Sequence, residues 1–199
     1  MRTALVPPRA AVGLLMLVLG ACAVTAPTRF YVLESPPKPR SQDQDRGCVV
    51  LGVGPVEIPA YLDRPQIVIR VSPNEIQPSD FEQWGEPLAQ GIARVMGEAI
   101  AGEVCVKRVE YFPWKSFAGV DYQVTLRVNR FEAIPGQKVE LLAHWSLYGQ
   151  DLRKPLAEGD LEITEPLSSK TYEEMVALQS RVLQKGAGSV AEAITKLRK

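Results

Sequence analysis

The sequence predicts an α+β fold: a mostly antiparallel sheet with two amphipathic helices packed on one face. Three observations lead there. Between Tyr122 and Ile163 apolar and polar residues alternate in three successive runs, the pattern of strands with one wet face. Two other stretches place apolar residues every three or four positions, which lines one side of a helix. Proline, glycine and asparagine mark turns between the runs.

From the N-terminus, residues 1–21 read as a signal peptide rather than as part of the fold. Arg2 and Arg9 give a basic start, Ala10 to Leu19 a short apolar middle, and Leu19-Gly20-Ala21 a small-residue ending. The run is too short for a transmembrane helix, which needs about 20 apolar residues. Cys22 follows at once, and Leu-Gly-Ala-Cys resembles a lipobox, whose cysteine is acylated and becomes the first mature residue. The competing readings are a cytosolic protein with an apolar N-terminus and an ordinary Ala-x-Ala cut at Ala21-Cys22-Ala23 that releases a soluble protein. Two or more acyl chains attach a protein stably to a bilayer, whereas one binds marginally. The expected organisation is a signal peptide over 1–21, a lipidated tether over 22–29 and one domain over 30–199.

Within the domain, Phe30-Tyr31-Val32-Leu33 predicts a strand rich in β-formers. Residues 35–47 are proline-rich and then polar, a loop with nothing to bury. Cys48 to Val53 forms an apolar run of strand length expected to stop at Gly54-Pro55, and Gln66 to Val71 gives another strand closed by Ser72-Pro73-Asn74. Ser79-Asp80-Phe81-Glu82 fits a capping box and predicts the first helix, which Pro87 must kink or restart near Glu86. Leu88, Ile92, Val95, Met96, Ala99 and Ile100 then share one helical face, with Gly102 as the stop.

Tyr122 to Val128, Val139 to Leu147 and Ala157 to Ile163 form the meander, turned at Pro135-Gly136 and Gly149-Gln150-Asp151. A long last helix enters at the capping box Thr171-Tyr172-Glu173-Glu174. Its stripe is Met175, Val176, Val182, Leu183, Val190, Ile194 and Leu197; Gly186 and Gly188 weaken its middle. Lys196, Arg198 and Lys199 suit the negative end of its dipole.

Composition narrows the function. Removing 21 residues, two of them arginine, leaves 178 with 21 basic and 23 acidic side chains, a formal charge of −2. A nucleic-acid partner would call for a basic excess or stripe, and none is present. After Cys22, the cysteines that remain are Cys48 and Cys105, each followed by valine at a strand start. An exported protein can hold them as a disulfide, and they read equally well as small buried hydrophobes. One histidine, His144, lies between Ala143 and Trp145 on a strand, with no activated serine or cysteine pattern beside it. This inventory cannot build a Cys/His zinc site, and Gly52-Val53-Gly54-Pro55 lacks the third glycine, lysine and helix of a phosphate loop. Glu158, Asp160 and Glu162 alternate along one strand as a solvated or partner-facing surface. The expectation is a protein without enzymatic activity, metal or cofactor.

Gly52 to Val68, containing Pro59-Ala60-Tyr61-Leu62-Asp63-Arg64-Pro65, resembles the PqiC/YmbA lipoproteins, the ABC-type transport auxiliary lipoprotein family. Trp84-Gly85-Glu86-Pro87-Leu88 resembles that family's helix start. Phe30-Tyr31-Val32-Leu33, Phe112-Pro113-Trp114, Asp121-Tyr122-Gln123-Val124 and Ala143-His144-Trp145-Ser146-Leu147 follow in its order. The resemblance implies a lipoprotein on the periplasmic side of a Gram-negative outer membrane, with no catalytic residues. Ala23 after the cysteine agrees, since inner-membrane retention is typically signalled by aspartate there. It implies partners as well: an MCE-domain protein (PqiB-like) and an inner-membrane component (PqiA-like), in lipid trafficking and envelope integrity. A homo-oligomer would suit a partner of a tubular assembly.

Tyr61, Leu62, Arg64 and Pro65, with Trp84, are the docking candidates, since a proline-bounded loop can display aromatic and guanidinium groups of the kind enriched at interfaces. The same residues could instead cap the core, with Arg64 paired to Asp63 or Glu57. A periplasmic lipid carrier with a cleft between helices and sheet is the alternative function, and a hydrolase using His144 the third.

Overall fold

The computed structural model describes residues 26–35, 47–114 and 119–198. The signal peptide, Cys22 and the proline-rich stretch after Ser35 lie outside them. The elements in order are β1 (Arg29–Tyr31), β2 (Val49–Glu57), β3 (Gln66–Ser72), β4 (Glu75–Trp84), α1 (Leu88–Ala101), β5 (Val106–Tyr111), β6 (Tyr122–Ile134), β7 (Lys138–Tyr148), β8 (Pro155–Pro166) and α2 (Tyr172–Leu197). The class is α+β with two described helices and one sheet of eight strands.

The sheet is mixed: antiparallel ladders of the expected kind stand beside parallel pairings that the sequence pattern does not predict. β6 and β7 pair antiparallel along their lengths, as do β7 with β8 and β3 with β4. β2 runs parallel to both β5 and β6, β1 is parallel to β4, and β3 meets β6 in parallel at Ile69 and Ala133. Short turns force antiparallel neighbours, whereas a strand returning after a helix can lie either way. Long β6 organises the whole: one edge takes β2 along its first half and β3 near its end, and the other edge takes β7.

The first helix begins later than its capping signal. Ser79 Oγ does accept from the Glu82 N–H (3.0 Å), but the glutamate turns to Arg29 and the segment stays in β4. Pairing with β3 on one side and β1 on the other outweighs a local cap. Pro87, which has no N–H to lose, stands at the N-cap, and α1 runs from Leu88. It ends at Gly102, whose backbone is right-handed rather than left-handed. β2 likewise does not stop at Gly54-Pro55. It continues to Glu57 through a register shift between Val53 and Val56. Gly54 has φ +116°, and a Cβ there would come within 2.7 Å of the Phe112 Cβ, so only glycine fits.

Leu51, Ile92, Val95, Ile100, Leu141, Leu147, Leu183 and Ile194 are fully buried at the centre of the core. Each such side chain contributes about 1.5–3 kcal/mol by leaving water. α1 packs on β2 and β5, α2 on β6, β7 and β8, and the helices touch each other. In α2 the Thr171 hydroxyl accepts from the Glu174 N–H (3.4 Å), and Glu173 and Glu174 sit in the first turn. Leu197, placed in the apolar stripe by sequence, is exposed.

α2 runs unbroken through both of its glycines. Gly186 lets the helix press onto β8, where an added Cβ would lie 2.8 Å from Leu161 Cδ1. Gly188 has no neighbour nearer than a Glu103 carboxylate oxygen at 3.7 Å. Gly186→Leu is therefore expected to cost about 1–3 kcal/mol by overpacking. Gly188→Ala should instead stabilise by up to about 1 kcal/mol through helix propensity. Denaturant melts of the two variants check the contrast.

Candidate docking surface

Residues 58–65 join β2 to β3, and short backbone bonds shape them: the Leu62 N–H donates to Pro59 O and the Arg64 N–H to Leu62 O, both at 2.9 Å. The Trp84 N–H donates to Pro65 O at 2.7 Å, tying the loop to the end of β4. The five docking candidates thus come together, but not all at the surface. Leu62 and Trp84 are buried and serve the core, and Tyr61 is half-buried. Arg64 and Pro65 are exposed. Arg64 pairs with neither Asp63 nor Glu57 and makes no side-chain bond among the described residues; Glu57 is held by Arg127 Nε at 3.0 Å.

Beneath the loop lies a charged cluster that sequence reasoning missed. Glu132 on β6 is 1% exposed, and its carboxylate accepts from the Tyr61 hydroxyl (3.0 Å), Arg70 Nε (2.7 Å), Arg70 Nη2 and the Phe131 N–H (3.0 Å). Arg70 Nη1 also donates to Pro73 O at 2.9 Å. A buried carboxylate needs such a set of donors to offset its desolvation. The only sequence signal was a pair of charged residues inside apolar strands, Arg70 after Ile69 and Glu132 after Phe131.

Tyr61 bears the electrostatic mark of this site. Burial, and then the Glu132 charge, pushes its phenol from 10 up to about 12. The neutral phenol therefore contributes stability in full below pH 10, and that contribution is lost as pH rises through about 12. In a spectrophotometric phenolate titration one tyrosine should ionise near pH 12, and Tyr61→Phe should remove that step.

Glu132 stands directly across the ladder from Glu140, a like-charge pairing that would destabilise unless neutralised. Glu140 takes Lys138 Nζ (2.9 Å) and Arg130 Nη1 (3.1 Å), and Lys138 first, then Arg130, holds its carboxyl below the usual range. Further along, Glu57, Arg127, His144 and Asp160 line up across β2, β6, β7 and β8. Arg127 bonds Glu57, and His144 Nδ1 lies 2.8 Å from Asp160 Oδ1. Among the described residues the side-chain partner of His144 is Asp160, within this polar lattice. Glu158, Asp160 and Glu162 are exposed on β8.

Cys48 and Cys105 are joined as a disulfide in the structure, with Cα atoms 4.7 Å apart. Beside it an open cleft of about 370 Å³ is lined by Glu103, Val104, Cys105, Thr195 and Arg198, a charged rim unlike an acyl tunnel. Among the described residues no cluster of metal-ligating side chains occurs, and no helix is long and apolar enough to cross a membrane.

Residues 31–191 match the model of the ABC-type transport auxiliary lipoprotein component. The chain belongs to that family. Two solved structures share the fold of this auxiliary lipoprotein. A Xanthomonas campestris protein with the family model DUF330 is 18% identical with a TM-score of 0.67, covering 85% of this chain and 98% of its own. An uncharacterized protein is 15% identical with a TM-score of 0.68, covering 85% and 99%. No curated protein matches the chain significantly. The family's description links the auxiliary lipoprotein to an ABC-type transporter.

Proposed function

We propose that this chain is a non-catalytic lipoprotein, acylated at Cys22 and held on the periplasmic side of the outer membrane, that docks an MCE-type lipid transport system there. Its partners on this reading are a PqiB-like MCE-domain protein and a PqiA-like inner-membrane component. Docking uses the polar sheet face and the Arg64-Pro65 turn, with both helices on the opposite side of the sheet. The observation that carries the reading is the uncommitted guanidinium of Arg64, exposed on a loop that Tyr61, Glu132 and Arg70 fix from below. A charged group carried on a fixed loop and left without an internal partner suits recognition of an acidic or carbonyl-rich surface.

Affinity capture from detergent-solubilised envelopes tests it. The native chain should bring down an MCE-domain protein, and Arg64→Glu should reduce that recovery at least about tenfold, a loss of about 1.4 kcal/mol. Cys22→Ser should release the chain from the membrane fraction. An eluate without any MCE-domain protein would count decisively against the assignment.

A further inference from the structure

β1 is the outermost strand of its branch of the sheet, pairing only with β4 among the described residues. The register Arg29–Glu82, Phe30–Gln83 and Tyr31–Trp84 gives this two-strand edge a distinct inside and outside. On the inner side Tyr31 packs against Tyr172 with ring centroids 6.3 Å apart, and Leu33 is buried. Glu82 and Trp84 are buried on the same side of β4. On the outer side Phe30 is 67% exposed and Val32 46%. Phe81, 37% exposed and diagonal to Phe30 across the ladder, adds a second outward aromatic ring. Isolated exposed apolar residues are ordinary, but two phenylalanines and a valine on one side of a strand edge make a patch that needs an occupant.

The chain itself names one. Phe30 follows Cys22 by eight residues, so a fully extended tether lets it stand no more than about 28 Å from the acylated cysteine. We infer that the outer side of the β1/β4 edge, through Phe30, Val32 and Phe81, rests on the lipid leaflet that holds the Cys22 acyl chains. The inference depends on the anchoring proposed above and adds an orientation to it. Phe and aliphatic side chains on the apolar face of an interfacial element bury at the boundary of headgroups and acyl chains, and a covalent anchor confines them beside it. The patch acts as a second, weaker membrane contact that stops the domain from swinging about its tether. β8, with exposed Leu156, stands at the far end of the strand order from β1, across the sheet from the patch.

The test uses the full chain purified from membranes and reconstituted into vesicles of phosphatidylethanolamine and phosphatidylglycerol with brominated acyl chains. Phe30→Trp, and separately Phe81→Trp, should shift to shorter emission wavelength and lose most of the added fluorescence to bromine quenching. Leu156→Trp on β8 should keep its emission. Equal quenching at all three positions, or none at residues 30 and 81, overturns the inference. A blue shift at residue 30 that bromine does not quench overturns it too, by assigning the patch to a second copy of the chain. The mass of the N-terminal peptide from the same sample separates the two readings. An acylated chain with unquenched tryptophans sinks only the orientation, whereas an unacylated chain removes the tether and sinks both.

Discussion

Arg70→Met is expected to lower the unfolding free energy by about 3–5 kcal/mol, because it strands a charged Glu132 in the interior. The Glu132 side chain is 1% exposed and that of Arg70 12%, so water cannot replace the lost guanidinium. Tyr61 and the Phe131 N–H remain as donors, and neither carries a positive charge. Adding Glu132→Leu to Arg70→Met should recover most of the loss, since replacing both members of a buried pair by apolar groups is commonly neutral or better. Urea melts of the single and double variants give the comparison. A single variant as stable as the parent would mean that Glu132 reaches solvent at little cost. The same variants probe the docking reading, because a loosened Tyr61 would free the loop that presents Arg64.

Opening the Cys48–Cys105 bond is expected to cost about 4 kcal/mol, the chain-entropy value for a loop closed across a sequence separation of 57. The bond ties the start of β2 to the residue before β5, where the Val49 N–H also donates to Cys105 O at 3.0 Å. Intact protein isolated from an oxidising compartment should gain the mass of two hydrogens on reduction, and its thermal midpoint should fall. Cys48→Ala with Cys105→Ala should reproduce the lower midpoint without responding to reductant. Identical melts before and after reduction would show that β2 and β5 are held by their ladder alone.

The parts of the fold written in local pattern were legible. β6, β7 and β8 announced themselves because each strand alternates and each turn is short; Gly136, at φ +73°, supplies the backbone that the first turn requires. α2 was equally plain from its cap and its stripe. What failed depended on partners far away in sequence. Residues 79–82 carry a helix-cap signature, yet β3 and β1 recruit them as strand, and no local feature reveals that competition. The parallel pairings of β2 were hidden for the same reason.

In the candidate site, the loop stood out in the sequence, but the roles of its residues did not. Trp84 and Leu62 drew notice as large apolar groups and proved to be core. The carboxylate that organises the loop, Glu132, follows a register shift between Val128 and Arg130 that moves the alternation of β6 out of phase. A uniform period-two reading puts the wrong residues on each side beyond that point.

The short strand β1 also decides how the domain would bear mechanical load. After Tyr31 the chain is fastened at successive carbonyls and amides: Arg94 Nη2 reaches Leu33 O (2.6 Å), the Glu34 N–H reaches Ser180 Oγ (3.0 Å), and Gln184 Nε2 reaches Glu34 O (2.9 Å). A pull on residue 26 would therefore load the β1/β4 ladder in shear and pass directly into both helices. Tension applied there would be passed to the central body of the protein through these bonds.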